Sequence, residues 1–191
     1  MQTSTRHPSV AEALEALGLS RDPFRDAEEQ GRWWTFGAFG LTIPCYNFAW
    51  RRQALPIHDL HHVVTGYPVS MPGEFQVAAW EFAAGRFPSL FSNLFCLPLV
   101  GLGLLHSPSK VFAAFRQGLS SRSLYCRNLK GRLETMTVAD LKALTSKPVG
   151  ASSKLGTAVA FAVVSLLSLS EIVLLALVPV LPVIAIAETL A

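Results

Sequence analysis

The chain has 191 residues, enough for one domain of ordinary size with a short appended segment and too few for two large ones. Hydrophobic residues make up 51% and charged residues only 15%, with a mean hydropathy of +0.38, so composition alone leads us to expect lipid contact. A net charge of +3 without a dense basic run argues against nucleic acid, and Cys45, Cys96 and Cys126, with no CxxC pair, indicate neither a disulfide framework nor a zinc ribbon.

At the N-terminus, MQTSTRHPSVAEALEALG has no apolar core of the signal-peptide kind, and Glu12 and Glu15 do not suit an acid-poor transit peptide, so a chain that is not secreted is expected. Ser9 with Glu12 predicts a capping box opening a short helix over 10–17, with Gly18 as its stop. Asp22-Pro23 then reads as a break, and residues 1–30 as an N-terminal helical extension. From Arg32 to Arg52 the chain is rich in aromatics (Trp33, Trp34, Phe36, Phe39, Tyr46, Phe48, Trp50) and reads as core-building.

After Pro56, HDLHHVVTGYPVSMPGEFQVAAWEFAAG predicts a helix, a Gly/Pro-rich connection and a second helix starting near Pro72 or Gly73. Residues 91–105 are mostly apolar but too short to span a bilayer, which suits a buried helix or the wall of an apolar pocket. Between Lys110 and Lys147, Arg116, Arg122, Arg127, Lys130, Arg132 and Lys142 outweigh Glu134 and Asp140. That stretch reads either as a solvated helical face or as a surface for anionic lipid. Thr137 with Asp140 caps a last amphipathic helix carrying Val138, Leu141 and Leu144.

Strand alternation is scarce, and 31–147 reads as one all-α domain. Residues 148–154 form a linker, and 155–191 an almost wholly apolar helical tail that associates with the membrane. The tail is either one transmembrane helix near 158–178 or two short helices divided by Glu171, Pro179 and Pro182. Lys147 and Lys154 precede it with no basic counterpart after it, which by the positive-inside tendency puts the main domain on the cytoplasmic side.

The chemistry concentrates in HDLHH. His58 and His62 are four residues apart, so on a helix they share a face one turn apart and two imidazoles can meet one ion. Asp59 lies beside His58, placed to bind the same ion or to accept a proton from a group bound to it. Glu74 follows after eleven residues, and a fold-back of the chain would bring it to the same ion.

His58, Asp59, His62 and Glu74 thus supply a mixed N/O set for one divalent metal, zinc foremost, with iron, manganese or magnesium as alternatives. Glu81, two helical turns past Glu74, is either an outer hydrogen-bond acceptor or a solvated charge. His61 points about 100° away from His62 and reads as a helper. His7 and His106 read as incidental. A membrane di-iron enzyme with HxxHH boxes needs more histidines than the chain has, and Asp59 reaches poorly for the Glu of HExxH peptidases.

His58, Asp59, His62 and Glu74 in this spacing resemble the HDxxH-x11-E motif of the Coq-four family of coenzyme Q (ubiquinone) biosynthesis proteins. Thr65-Gly66, Pro68, the Gly73-Glu74 step and Trp80-Glu81-Phe82 are similar to its flanking residues. The resemblance covers roughly 46–144, including the apolar stretch 88–105 and the closing leucine helix 138–144. It does not extend to the first 30 residues or the tail after Ser153, and it is weak just upstream of His58.

The resemblance implies a Coq-four-like helical domain holding a divalent metal beside a polyprenylated aromatic ligand. It also implies replacement of the ring carboxyl at C1 by hydroxyl, and organisation of other quinone-biosynthesis proteins. His58, His62 and Glu74 would then hold the metal, with His58, Asp59 and Glu74 catalytic and Asp59 a ligand or proton acceptor. Residues 91–105, with Phe91, Phe95, Leu99 and Leu102, would line the cleft for the prenyl tail. Two functions are expected from this: a metal-dependent oxidative decarboxylase or hydroxylase of a prenylated ring, or a non-catalytic lipid-binding scaffold at the membrane.

Overall fold

In the computed structural model, which describes residues 8–38, 41–85, 87, 89–147 and 153–177, helices dominate. Eight helices and one two-stranded hairpin are formed among the described residues, and the all-α expectation holds. Helix α1 (Val10–Ala16) opens on the expected capping box, in which the Ser9 hydroxyl accepts from the Glu12 N–H and Glu12 accepts from the Ser9 N–H. The Asp22-Pro23 step starts a helix instead of breaking one. In α2 (Pro23–Glu29) Asp22 accepts from the Arg25 N–H, and Pro23 occupies the first turn, where an N–H would have no helical partner anyway.

The aromatic stretch that follows is a hairpin, not core. β1 (Trp33–Ala38) pairs antiparallel with β2 (Leu41–Tyr46), with Trp33 opposite Tyr46 and Thr35 opposite Pro44. Pro44 is tolerated because a two-stranded sheet has only edge strands. Two strands carry no second layer of their own, and Trp33 stays 67% exposed. Phe39, part of that stretch, lies outside the described residues.

Two apolar clusters build the interior. The first joins α1 to α3 (Ala49–Thr65) through Leu14 and Leu60, together with Leu124, Leu129 and Met136 from 120–137. The second lies among α4 (Met71–Ala84), α5 (Leu90–His106) and α6 (Pro108–Leu119), where Trp80, Val100, Ala114 and Phe115 are buried. Helix α7 (Val138–Thr145) starts on the Thr137–Asp140 capping box and closes the first cluster with Leu141. The basic residues Lys110, Arg116, Arg122, Arg127, Lys130, Arg132 and Lys142 all lie exposed.

Helix α5 is only half a core helix. Ser92, Val100, Gly101 and Gly103 are buried, but Leu90, Phe91, Leu94 and Leu105 face outward. Helix α8 (Lys154–Leu177) is continuous and long and apolar enough to cross a membrane. Glu171 does not divide it, which removes the alternative in which this carboxylate splits the tail; Pro179, Pro182 and the linker residues 148–152 lie outside the described residues.

Ser168 is the one side chain of α8 that is buried, so this is not the core helix of a globular domain. It leans on α5 and α6 instead. Phe161 meets Phe112 and Phe115 at centroid distances of 4.8 and 5.2 Å. A Cβ on Gly101 would come within 2.5 Å of Ile172 Cδ1, so the bare glycine is what lets α5 and α8 touch.

Candidate metal centre

The fold-back that the HDxxH spacing requires is built by the turn after α3. Gly66 closes the helix in the left-handed conformation at φ 75°, which costs a glycine nothing, and the Thr65 hydroxyl donates to the His61 carbonyl. The chain then crosses tightly over the first turn of α4. A Cβ on Gly73 would stand 1.8 Å from the Pro68 carbonyl oxygen, so only glycine fits before Glu74. Glu74 therefore projects from the first turn of α4 back onto α3.

His58, His62 and Glu74 form a group whose ligand atoms all lie within 4.8 Å of one another. His58 Nε2 is 2.9 Å from Glu74 Oε2, and His62 Nε2 is 3.2 Å from Glu74 Oε1. Tetrahedral coordination with bonds of about 2.0–2.1 Å would separate ligand atoms by about 3.3 Å, which small side-chain adjustments can reach from a group lying within 4.8 Å. The side chain of His62 is 1% exposed and that of Glu74 24%, so the group is walled on the α3 side and reachable from the Glu74 side.

Each imidazole has its outer nitrogen occupied. His62 Nδ1–H donates to the Tyr67 carbonyl at 3.0 Å, which turns Nε2 toward Glu74. That buried Nε2 has no hydrogen-bond partner although Glu74 Oε1 is only 3.2 Å away. A buried ring nitrogen without a hydrogen bond, 3.2 Å from a carboxylate oxygen, is an arrangement that a shared cation relieves. His58 Nδ1 lies 3.2 Å from Glu81 Oε1, which fixes the ring so that Nε2 points at Glu74.

Glu81 is an outer acceptor and not a solvated charge. Its side chain is fully buried, and Oε1 also accepts from His61 Nδ1–H at 2.6 Å and from the Tyr125 hydroxyl at 2.8 Å. His61 is in turn held from behind, with Nε2 accepting the Leu124 N–H at 2.9 Å. His61 is thus the helper expected from its position on the helix. Trp80 and Tyr125 pack on its ring at centroid distances of 4.9 and 5.1 Å.

The charges are strongly coupled. Burial alone would depress the imidazolium of His58, but Glu81 and Glu74 outweigh it and hold His58 well above the usual histidine range. Burial works against ionisation of Glu74, yet the hydrogen bond from His58 and the charge of the neighbouring imidazoles bring it down to about 2. Glu81 falls below the usual carboxylate range for the same reason, through His58 and His61 overcoming burial. His61 is lowered, because burial exceeds the pull of Glu81.

Asp59 stands beside this group and is not one of its three members. One residue along a helix is a turn of about 100°, so its carboxylate leaves the face that His58 and His62 share. Burial raises it to about 6, against the lowering effect of His58 and His62. It is suited to proton exchange near neutral pH.

The four residues expected to line a prenyl cleft separate into two pairs. Phe91 and Phe95 lie exposed, whereas Leu99 and Leu102 are partly buried against the α4–α6 cluster. Sequence reasoning missed Tyr67, Tyr125 and the Leu124 N–H. A backbone carbonyl in a turn and a tyrosine 44 positions from Glu81 leave no mark in helical spacing. No family model, no curated protein and no solved structure matches this chain, so the functional reading has to come from the centre itself.

Proposed function

We propose that this protein is a membrane-associated metal-dependent enzyme in which His58, His62 and Glu74 hold one divalent ion and the substrate is a polyprenylated aromatic ring. The observation that carries this reading is the buried, unpartnered His62 Nε2 facing Glu74 Oε1, inside a group of three N/O ligands. Three protein ligands suit a catalytic site, since structural sites close all four positions. Zinc is the first candidate, with iron, manganese or magnesium as alternatives. When bound, the ion would polarise a phenol or carboxylate oxygen of the ring.

The chain's own groups then take distinct tasks. Glu81 and the Tyr67 carbonyl hold the two imidazoles in the tautomer that offers Nε2 inward. Asp59, at about 6, accepts or returns a proton beside the centre. The ring and the reaction rest on the resemblance to the Coq-four family, in which the C1 carboxyl is exchanged for hydroxyl. That change releases carbon dioxide and removes two electrons from the ring, so dioxygen or an equivalent oxidant is needed. Helix α8 supplies the attachment to the membrane, and Lys147 and Lys154 favour a domain on the cytoplasmic side.

Metal analysis of the purified protein against His58→Ala and Glu74→Ala tests the centre; full metal content in both variants would sink it. Mass spectrometry of co-purifying lipid tests the substrate class, and a purely phospholipid extract would weigh against a prenylated ring.

A second reading, a non-catalytic lipid-binding scaffold for other quinone-biosynthesis proteins, is favoured by one feature. Glu81 ties α3, α4 and the 120–137 segment together in the manner of a structural brace. Glu74→Ala separates the two readings. A variant that still folds and binds prenyl lipid but forms no product supports catalysis.

A further inference from the structure

The hairpin and the start of α5 leave an apolar surface that neither internal cluster uses. Trp33, Tyr46, Phe48, Leu90, Phe91 and Phe95 are each 45% exposed or more. They belong to one connected surface. Rings run from Trp33 to Tyr46 (5.7 Å), Tyr46 to Phe48 (5.0 Å), Phe48 to Trp50 (6.2 Å) and Trp50 to Phe95 (5.5 Å), which crosses from the hairpin through α3 onto α5.

Its composition is that of a membrane interface. Tryptophan and tyrosine combine an apolar body with a polar tip and concentrate at headgroup depth. Cations border it. Arg32 is exposed, Arg52 is partly exposed, and Arg51 lies 3.7 Å over the Trp34 ring. The nearby acids Glu28 and Glu29 of α2 are already paired with Lys130 and Arg25.

Continuity with α8 decides between lipid and a second protein copy. Helix α5 carries Leu90, Phe91 and Phe95 at its start and packs Gly101 against Ser168 and Ile172 of α8. A membrane-embedded α8 brings the uncovered side of its packing partner to the bilayer as well. The same surface approaches the candidate metal centre. Trp50 precedes His58 by about 12 Å of helix at 1.5 Å per residue. Phe95 of α5 packs on Trp50 at 5.5 Å, so the start of α5 lies against the helix that carries His58 and His62.

We propose that the β1–β2 hairpin and the first turns of α5 form a bilayer-docking face, seating Trp33, Tyr46, Phe48, Phe91 and Phe95 at the headgroup boundary of an anionic membrane. This face lets a lipid substrate pass from the membrane to the His58–His62–Glu74 side of the domain, a step that rests on the metal-enzyme reading; the docking itself does not.

The full chain, reconstituted in nanodiscs of phosphatidylcholine and phosphatidylserine, tests this by tryptophan emission. Lipid brominated near the headgroup should quench strongly and lipid brominated near the chain end weakly. Trp33→Phe should lose most of the quenchable part while keeping the metal content of the wild type. Phe91→Asp, with Trp33 in place, should also reduce quenching.

Emission indifferent to shallow bromine, or quenched equally in the wild type and Trp33→Phe, overturns the proposal. Cross-linking between copies through this face, with no quenching, overturns it in favour of a dimer. Metal retained in Glu74→Ala would instead sink the metal-enzyme reading and leave the quenching result intact.

Discussion

The polar centre between α3 and α4 and the apolar flank of α5 and α8 invert the usual placement of residue types. His61, His62 and Glu81 are 1% exposed or less, while Leu155, Leu166 and Leu174 are each more than 60% exposed. Buried charge is costly and is tolerated when it is paired, and exposed leucine is costly in water and free in lipid. The first region is therefore ordered by specific hydrogen bonds, each with a named partner. The second has few polar contacts and is held by apolar packing, Phe161 on Phe112 and Phe115 and Ile172 at Gly101. Substitutions should separate the two sharply.

The largest effect is expected at Glu81. Glu81→Ala leaves His61 Nδ1–H, the Tyr125 hydroxyl and His58 Nδ1 without their acceptor inside the protein, and should cost about 3–5 kcal/mol in urea unfolding. Glu81→Gln keeps an acceptor oxygen and should fold. Losing the carboxylate behind His58 should still weaken metal affinity by about 10–100-fold, read by competition with a chelator. Equal unfolding midpoints for wild type and Glu81→Ala would erase the contrast between the two regions.

Next in size is Gly73→Ala. The added methyl meets backbone, the Pro68 carbonyl, so the turn must move, at a cost of about 1–3 kcal/mol. Because Glu74 is the next residue, metal affinity should fall along with stability. Pro68→Ala in the same background should not restore it, since the clash is with the carbonyl.

These two tests also mark what spacing made legible. His58, His62 and Glu74 could be found because a four-residue interval on a helix fixes one face, and because Gly66 and Gly73 admit only a tight return. The capping boxes at Ser9 and Thr137 were legible for the same reason: they are local. Asp59 is outside the group of three ligands, since adjacency along a helix turns a side chain off the shared face, and of its two expected roles the proton acceptor beside the centre is the one its position favours. Tyr125 and the Leu124 N–H come from a segment without periodicity, and only the folded chain brings them to Glu81.

The hairpin was missed because aromatic density is the same signal in a core and on a lipid-facing surface. Pro23 was taken for a breaker when its position after Asp22 suits a first turn. The expectation that residues 91–105 act as core or pocket wall was half right, since apolarity cannot say which side of α5 is covered.

A smaller effect is expected from pH on metal-free protein. His58 has a raised folded pKa, so its contribution is complete below about pH 6.5 and is lost as pH rises through the folded value. Asp59, raised to about 6, acts in the same sense: folding favours its protonated form, and this advantage fades between roughly pH 4 and 6. Glu74, held at about 2, contributes above roughly pH 4.5 and loses that contribution as pH falls toward 2. Metal-free protein should therefore unfold more readily at pH 8 than at pH 6. Added zinc should close the gap, because ligation at Nε2 takes the place of the His58 proton. A gap unchanged by zinc would separate the charge pair from metal binding.

The smallest change in folding should come from the outer face of α8. Leu166 is 68% exposed, and Leu166→Ala removes contacts with the surroundings only, so in detergent it should shift stability by no more than about 0.5 kcal/mol. Ser168 is two residues away and is its opposite. It is buried where its own backbone passes close to Gly101, and its hydroxyl donates to the Val164 carbonyl, so a larger, apolar side chain in Ser168→Leu should disturb the α5–α8 packing at a cost of about 1–3 kcal/mol. Membrane partition should respond in the reverse order: Leu166→Ser weakens retention in carbonate-washed membranes, whereas Ser168→Leu leaves it intact. If instead Leu166→Ala unfolds the protein in detergent, the outer face of α8 is covered by protein, and the lipid-facing half of the contrast fails.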